Sequence, residues 1–356
     1  MGGLKGVPTR GAKAWRLAID ETRSVTQKNI TVAGAGIIGL WQALTLAKAG
    51  NRVRLMEASA EPFAASSSRW AAAMIAPECE AEAAPKIVRD MGRRGLALWR
   101  AAYPGLIENG TLVVAAARDR AELTRFQRMT DDHQLLHAGR LAALEPELGD
   151  RFDAALYFAN EAHMDAGAAL AFLLSAVRAA GVEVLFRTPW TRDDGDMLVD
   201  CRGMAARNDL PDLRGVRGER IVISSADVRL SRPVRLLHPR QPIYVVPQGD
   251  GRYVIGATVI EREDDGPMTV KSALELLGSA FALHPGFAEA DILDMGAGVR
   301  PSFPDHVPRI VIENEGQTIR VNGAYRHGFL LAPALAEDVA AYIASGARSE
   351  VMRDFA

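Results

Sequence analysis

Ordered patterning along the chain begins at Asn29. Residues 29–31 lead into Val32-Ala33, a short β-type run; glycines follow at once, and apolar residues then recur at helical spacing over 40–49. Gly50 stands where a glycine just past a helix end would stop it. Arg52-Val53-Arg54-Leu55-Met56 alternates as a second strand and closes on Glu57. Together these segments predict a βαβ unit of about 30 residues. The rhythm returns later. Leu170, Leu173, Leu174 and Val177 predict a helix over 170–180, Gly181 ends it, and 182–186 reads as a strand. Helix, glycine and strand in that order suit a parallel sheet. The middle of the chain differs: 217–223, 241–246 and 252–259 read as short strands separated by turns such as Gly249-Asp250-Gly251, which predicts an antiparallel sheet. Residues 271–283 read as a helix, and 333–345 as a last amphipathic helix with Pro333 in its first turn. No internal repeat is present, and the one biased tract is the alanine-rich patch near 58–84.

Length and composition set bounds on this pattern. The 356 residues suffice for two domains. Hydrophobic residues at 48% and charged residues at 24% exclude disorder over most of the chain. A formal charge of −2 gives no general attraction to nucleic acid. The two cysteines, Cys79 and Cys201, exclude a disulfide scaffold and, without a CxxC pair, offer no structural zinc site. They fit a reducing, cytoplasmic location. Seven histidines show no HExxH or comparable spacing, so no metal site is expected. Residues 1–28 carry Lys5, Arg10, Lys13 and Arg16 without an apolar core or cleavage site, and read as a surface extension; Asp20 and Glu21 argue against a transit peptide. No run of about 18 uncharged apolar residues occurs, so no membrane span is expected. There is no GxSxG elbow, and Cys79 lacks an evident activating partner. Glu78, Glu80 and Glu82 read as a solvated acidic stretch, and Asp305 as the brace of its own turn.

Gly34, Gly36 and Gly39 spell GxGxxG, with Ile37 and Ile38 opening the helix. The first glycine permits the tight turn, the second lets backbone approach a pyrophosphate, and the third lets helix pack on strand. Amides at the helix N-terminus then bind phosphate. Glu57 follows Gly39 at the end of the second strand, where a carboxylate accepts hydrogen bonds from a ribose 2′-hydroxyl and repels a 2′-phosphate. This fingerprint does not separate FAD from NAD. A second glycine turn, from Asn322-Gly323 to Leu331, feeds a helix near the other chain end. A cofactor touched by both ends suits long FAD better than a nicotinamide held by one Rossmann half.

Four segments carry a resemblance to a known family: 32–57; Ser66-Ser67-Ser68-Arg69-Trp70-Ala71-Ala72-Ala73-Met74-Ile75-Ala76; Tyr244-Val245-Val246-Pro247 through Gly256-Ala257-Thr258; and Gly298-Val299-Arg300-Pro301 with Pro304-Asp305, followed by 323–333. The chain resembles FAD-dependent amine oxidoreductases of the D-amino-acid oxidase type, the glycine oxidase group above all. The resemblance spans most of 29–345. It implies an α/β (α+β overall) fold: a Rossmann-like FAD-binding domain built from separated segments, 29–90, 158–225 and 296–345, with an antiparallel-sheet substrate domain, 91–157 and 226–295, and a tail over 346–356. It also implies residue roles. Arg300 would clamp the substrate carboxylate through paired charge-assisted hydrogen bonds. Tyr244 would reach the same carboxylate, and Arg326 would add positive potential. FAD would contact Gly34, Gly36, Ile37, Ile38, Gly39, Glu57, Ala58, Ser66, Ser67, Ala72, Ala73, Met74 and Val184, and, from the second glycine turn, Gly323, Tyr325, Arg326, His327, Gly328, Phe329 and Leu330.

The chemistry so implied is hydride transfer from the Cα of a small amino acid (glycine, sarcosine or a small D-amino acid) to the flavin. It gives an imine that hydrolyses to a 2-oxo acid and ammonia, and hydrogen peroxide where oxygen is the acceptor. In the family this reaction supplies glycine imine for the thiazole of thiamine. A D-amino-acid oxidase or dehydrogenase of broader specificity, and a flavin-binding subunit with little activity alone, remain open alternatives, as does a homo-oligomer. The pattern departs from the family at Val259, where methionine is common, and at Trp70 and Pro77. No cysteine occurs between Gly296 and Pro301, where covalent relatives hold flavin, so noncovalent FAD is expected.

Overall fold

A computed structural model of the chain describes residues 27–191 and 196–355. The expected extension over 1–28 lies outside the described residues except for Gln27 and Lys28.

Two large sheets share the molecule. The first has seven strands. Asn29–Ala33 is central, paired in parallel with Arg52–Met56 on one side and Met197–Asp200 on the other. Glu183–Leu185 extends the parallel order beyond Arg52–Met56. On the far side Thr318–Asn322, Arg309–Glu313 and Met352–Asp354 follow in turn. Arg52–Met56 and Glu183–Leu185 stand where periodicity predicted strands. The tail expected over 346–356 instead ends as an edge strand, because Val351 and Met352, at 1% and 4% exposure, have apolar side chains to bury.

Helices Ile37–Lys48, Lys86–Ala102, Ala166–Ala179 and Gly328–Ser345 pack into one apolar core with this sheet. The last of them begins five residues before Pro333, which therefore sits inside it. A proline there lacks the N–H that the carbonyl four residues back would receive. The indole Nε1 of Trp99 supplies the missing donor, bonding the Phe329 carbonyl at 2.6 Å. Glycines at 92 and 95 bring the Lys86–Ala102 helix onto Leu330; a Cβ at Gly92 would lie 2.9 Å from the Leu330 side chain. Residues 91–102 thus pack with the first core rather than with the substrate-side segment expected for them. The Gly328–Ser345 helix, 18 residues with mean hydropathy 1.3, is long and apolar enough to cross a membrane by length and composition alone. Within the fold that apolarity serves packing, since half of it is buried.

The second sheet has eight strands in the order Asp291–Ser302, Arg214–Ser224, Arg252–Gly256, Ile243–Pro247, Val234–Leu237, Thr111–Ala115, Ala154–Phe158 and Gln134–His137. Its pairs are antiparallel except for Val234–Leu237 beside Thr111–Ala115. Arg214–Ser224, counted by sequence with the dinucleotide-binding segments, is hydrogen-bonded into this sheet. One face is apolar: Ile221, Ile223, Val245 and Ile255 pack under Leu276, Ala280 and Leu283 of the Val270–Leu283 helix. The opposite face is turned to the first sheet's loops, with Val222, Val246 and Val254 meeting Ala72 and Met74.

Candidate active site

The glycine turn after Asn29–Ala33 has the shape its spacing demands. Gly34 has φ +97°, and a Cβ there would lie 2.7 Å from the Cys201 carbonyl. A Cβ on Gly36 would stand 2.9 Å from Ser66 Oγ, and one on Gly39 would overlap the Gly34 carbonyl. Close backbone approach is therefore enforced at all three positions. Ser68 Oγ accepts from the Ile37 amide at 3.1 Å, and Ser66 Oγ from Ser68 at 3.2 Å, so two hydroxyls border the helix N-terminus. Ser67, between them, is exposed, as is Ala58. Ser68 was quoted within the loop but not singled out; its spacing gives no cue, since only the fold brings it to Ile37.

The Glu57 carboxylate is anchored beside this turn. It accepts from the Ala35 amide at 2.8 Å and from Ser59 at 2.9 Å, one bond to each oxygen. Carboxylate oxygens have lone pairs to spare for ribose hydroxyls. Val184 lies on the strand next to Glu57, paired with Leu55, and the Leu185 carbonyl accepts from the Glu57 amide at 2.8 Å.

The second glycine turn closes on the same region from the other chain end. Gly323 has φ +77°, and a Cβ there would strike the Phe303 ring. The Tyr325 amide bonds the Pro301 carbonyl at 2.9 Å, which ties this turn to the strand carrying Arg300. Tyr325 stacks on His306 with centroids 4.5 Å apart. Gly328, which opens the last helix, comes so near Ile37 that a Cβ would lie 3.3 Å from its Cγ2. Two helix N-termini therefore converge, and both present positive dipole ends to one space. Phe329 and Leu330 point their side chains into the core, Phe329 stacking on Trp99, so what they offer a ligand is backbone.

Facing this space is the open face of the second sheet. Arg300, Gly298 and Gly296 on one strand pair with Val216, Gly218 and Arg220 on the next. Arg220 in turn pairs with Gly256, and Gly256 with Tyr244. Directly paired residues share a face, so these side chains lie on one surface. The Arg300 guanidinium lies flat over Gly218, and Tyr244 lies over Gly256, where a Cβ would meet its hydroxyl at 2.6 Å. Nη1 of Arg300 donates to the carbonyls of Thr258 at 3.2 Å and Arg217 at 3.4 Å. Burial pulls the Arg300 pKa down and pushes the Tyr244 hydroxyl up, the latter against the opposing charges of Arg300, Arg220 and Arg326. Arg300, Tyr244 and Arg326 thus lie within electrostatic reach of one another. Trp70 covers Gly296 and Gly298. Val259 is exposed at 54%.

Arg326 leads to a correction. Glu78, Glu80 and Glu82 are not a solvated stretch. Glu78 is buried and paired with Arg93 at 2.5 Å. Glu80 Oε2 takes both Arg326 Nη2 and His327 Nε2 at 2.8 Å, and its other oxygen stands 3.7 Å from Arg235. Burial pushes the Glu80 carboxyl up, but Arg326, His327 and Arg235 together outweigh it and hold the group well below the usual carboxylate range. Cys79, next to it, is buried, and burial followed by the Glu161 charge pushes its thiol up, which makes it a poor nucleophile.

The cradle fits a long dinucleotide: it has a glycine turn closed to any side chain, an anchored acid for a ribose, and two helix N-termini from opposite ends of the chain. The family model described as FAD dependent oxidoreductase matches residues 29–342, and the chain belongs to that family. Its cofactor is FAD. The putative thiamine biosynthesis oxidoreductase ThiO of Rhizobium etli is 49% identical over 313 residues, 87% of this chain and 95% of that protein. A glycine oxidase of Pseudomonas aeruginosa is 27% identical over 355 residues, with 86% and 92% covered. Among solved structures, glycine oxidase from Bacillus cereus superposes with a TM-score of 0.76 at 21% identity, covering 90% of this chain and 96% of that one.

Proposed function

We propose that the protein is an amino-acid oxidase or dehydrogenase acting on a small substrate, glycine or sarcosine first and small D-amino acids next. The observation that carries this is Arg300: a buried guanidinium laid on Gly218, held along one edge by two carbonyls, with its other edge left for a carboxylate. FAD, when bound, supplies the acceptor for the hydrogen and electron pair leaving Cα. The chain's residues orient. Arg300 fixes the acid group, Tyr244 flanks it, and Arg326, held by Glu80, adds positive charge from the opposite wall. No carboxylate or imidazole need act as base, since an uncharged amine has the lone pair that forms the imine. Rate enhancement then comes from position and fixed charge.

The likeness to ThiO, at 49% identity, supports a role in making glycine imine for thiamine thiazole. In this reading FAD is held noncovalently, since both described cysteines are buried. The two free cysteines also accord with a cytoplasmic location. The dinucleotide segments are 29–90, 158–225 and 296–345, and the substrate segments are 91–157 and 226–295, with Arg214–Ser224 acting as the wall between them. Anaerobic mixing with glycine or sarcosine tests the proposal. The yellow band of the FAD-loaded protein should bleach. A band that persists with glycine, sarcosine and D-alanine alike contradicts it. Peroxide yield in air then separates oxidase from dehydrogenase.

A further inference from the structure

The open sheet face carries a second arginine. Arg220 stands one row along from Gly218, opposite Gly256 and Gly296, and its side chain is 11% exposed. Its guanidinium sits 5.1 Å from the Trp70 ring centroid, which fixes its plane. Nη2 makes two long contacts, 3.3 Å to the Arg69 carbonyl and 3.3 Å to Asp294 Oδ2. Nε and Nη1 are buried and have no partner among the described residues. Elsewhere buried guanidiniums are provided for: Arg217 reaches Glu219 and the carbonyls of Asp264 and Pro267, and Arg320 reaches Asp200 and Glu313. A buried guanidinium with idle N–H groups is costly unless something completes it. The charged and titratable groups around Arg220 are Asp294, Tyr244, Arg69 and Asp165, and burial outweighs them in pulling its pKa down. Asp294 itself is 47% exposed and is solvated as well as paired.

Two residues along a strand advance about 7 Å. Arg300 over Gly218 and the root of Arg220 are therefore offset by that length on one surface, with Trp70 walling the row of Gly296 and Gly298 beside them. We propose that Arg220 is a second carboxylate-binding residue, and that the preferred substrates are small amino acids bearing two carboxylates, one on Arg300 and one on Arg220. This rests on the reading of Arg300 as the first clamp.

The FAD-loaded enzyme is assayed with iminodiacetate and D-aspartate against sarcosine and D-alanine. The dicarboxylates should have the higher kcat/KM. Arg220→Gln should cut the ratio of dicarboxylate to monocarboxylate kcat/KM by about 30-fold, through KM, as expected for losing a charge-assisted pair. A binding readout runs beside it: calorimetric titration with diglycolate and methoxyacetate, which have the two shapes but no amine. Diglycolate should bind more tightly, and Arg220→Gln should erase the difference. Asp294→Asn removes the competing acid and should widen it, which a merely structural Arg220 would not do. If methoxyacetate binds and diglycolate binds no better, or if the preference survives Arg220→Gln, the inference is overturned while the clamp stands. If neither binds and Arg300→Met leaves kinetics unchanged, the clamp reading fails and this proposal falls with it.

Discussion

Gly218→Ala tests the clamp without touching it. A Cβ built on Gly218 lies 1.9 Å from Cζ and Nη2 of Arg300 and 2.1 Å from Nη1. Restoring ordinary separation near 3.5 Å drives the guanidinium back by roughly 1.5 Å. The displaced atoms are the far end of a flexible side chain, so the strand need not move. Gly218 has no left-handed backbone to strain, and alanine suits a strand interior by ~0.5–1 kcal/mol over glycine. Thermal stability should therefore hold or rise slightly. Catalysis should not hold: a misplacement near 1 Å at a positioned group costs about 100-fold, and kcat/KM for glycine and sarcosine should fall by that order. Steady-state oxidation rates and a thermal melt of the FAD-loaded protein measure both quantities. Gly298→Ala is the matched control, because its Cβ would meet Trp70 at 2.7 Å instead. A Gly218→Ala enzyme with the parent's kcat/KM would mean that Arg300 does not hold substrate from where it lies.

Arg300→Met should raise KM for carboxylate-bearing amines about 100-fold, from a loss of about 3 kcal/mol; unchanged kinetics would remove Arg300 from the site. Gly36→Val should purify with little FAD, because the added atoms collide with Ser66 at the point of phosphate approach, and a fully yellow variant contradicts the cradle. Glu80→Gln leaves Arg326 and Arg235 without their shared carboxylate. The cost should be about 2–3 kcal/mol, below the full penalty for a broken buried pair because Arg326 is 30% exposed; a melt indistinguishable from the parent's rejects it. Glu161 gives a pH signature. Burial raises its carboxyl to about 7 despite the hydrogen bond from the Cys79 amide at 2.7 Å. The folded state then holds that proton more tightly than the unfolded chain. The associated stability, up to about 3 kcal/mol, is complete below the unfolded pKa and is lost as pH rises through the folded one. Melts taken between about pH 5 and 8 should slope downward for the parent and be flatter for Glu161→Gln; equal slopes would place the titration elsewhere.

The first sheet was legible because its signals are local. Three glycines, an alternating strand and Glu57 lie within one βαβ unit, and each does in the fold what its spacing requires. Legibility failed where a residue's partner is distant. Glu80 meets Arg326 and His327, some 246 residues away, and nothing in an acidic run marks one carboxylate as buried. Pro333 was read as a helix start because prolines favour that place; the helix runs through it because Trp99, far off in sequence, caps the carbonyl that proline leaves idle. Trp70 stood out as unusual in its loop, and the fold explains it by the two glycines it covers. Those glycines, two apart in one strand, were a readable sign that something large lies over the sheet.

That sign recurs across the open face. Gly218 lies under Arg300, Gly256 under Tyr244, and Gly296 and Gly298 under Trp70. Interior glycines weaken strands by about 0.5–1 kcal/mol each. Random placement would scatter them over both faces, yet these four share one. The other face offsets the weakness with an apolar layer of Ile221, Ile223 and Ile255 and with the buried Arg217–Glu219 pair, which Thr258 also joins. The sheet is thus dense behind and thin in front. Long side chains lie flat on bare backbone, so that cations and an aromatic wall line the space without filling it. Packing alone gives no reason for such thinning; a flat ring and a small charged substrate that must fit between two sheets do.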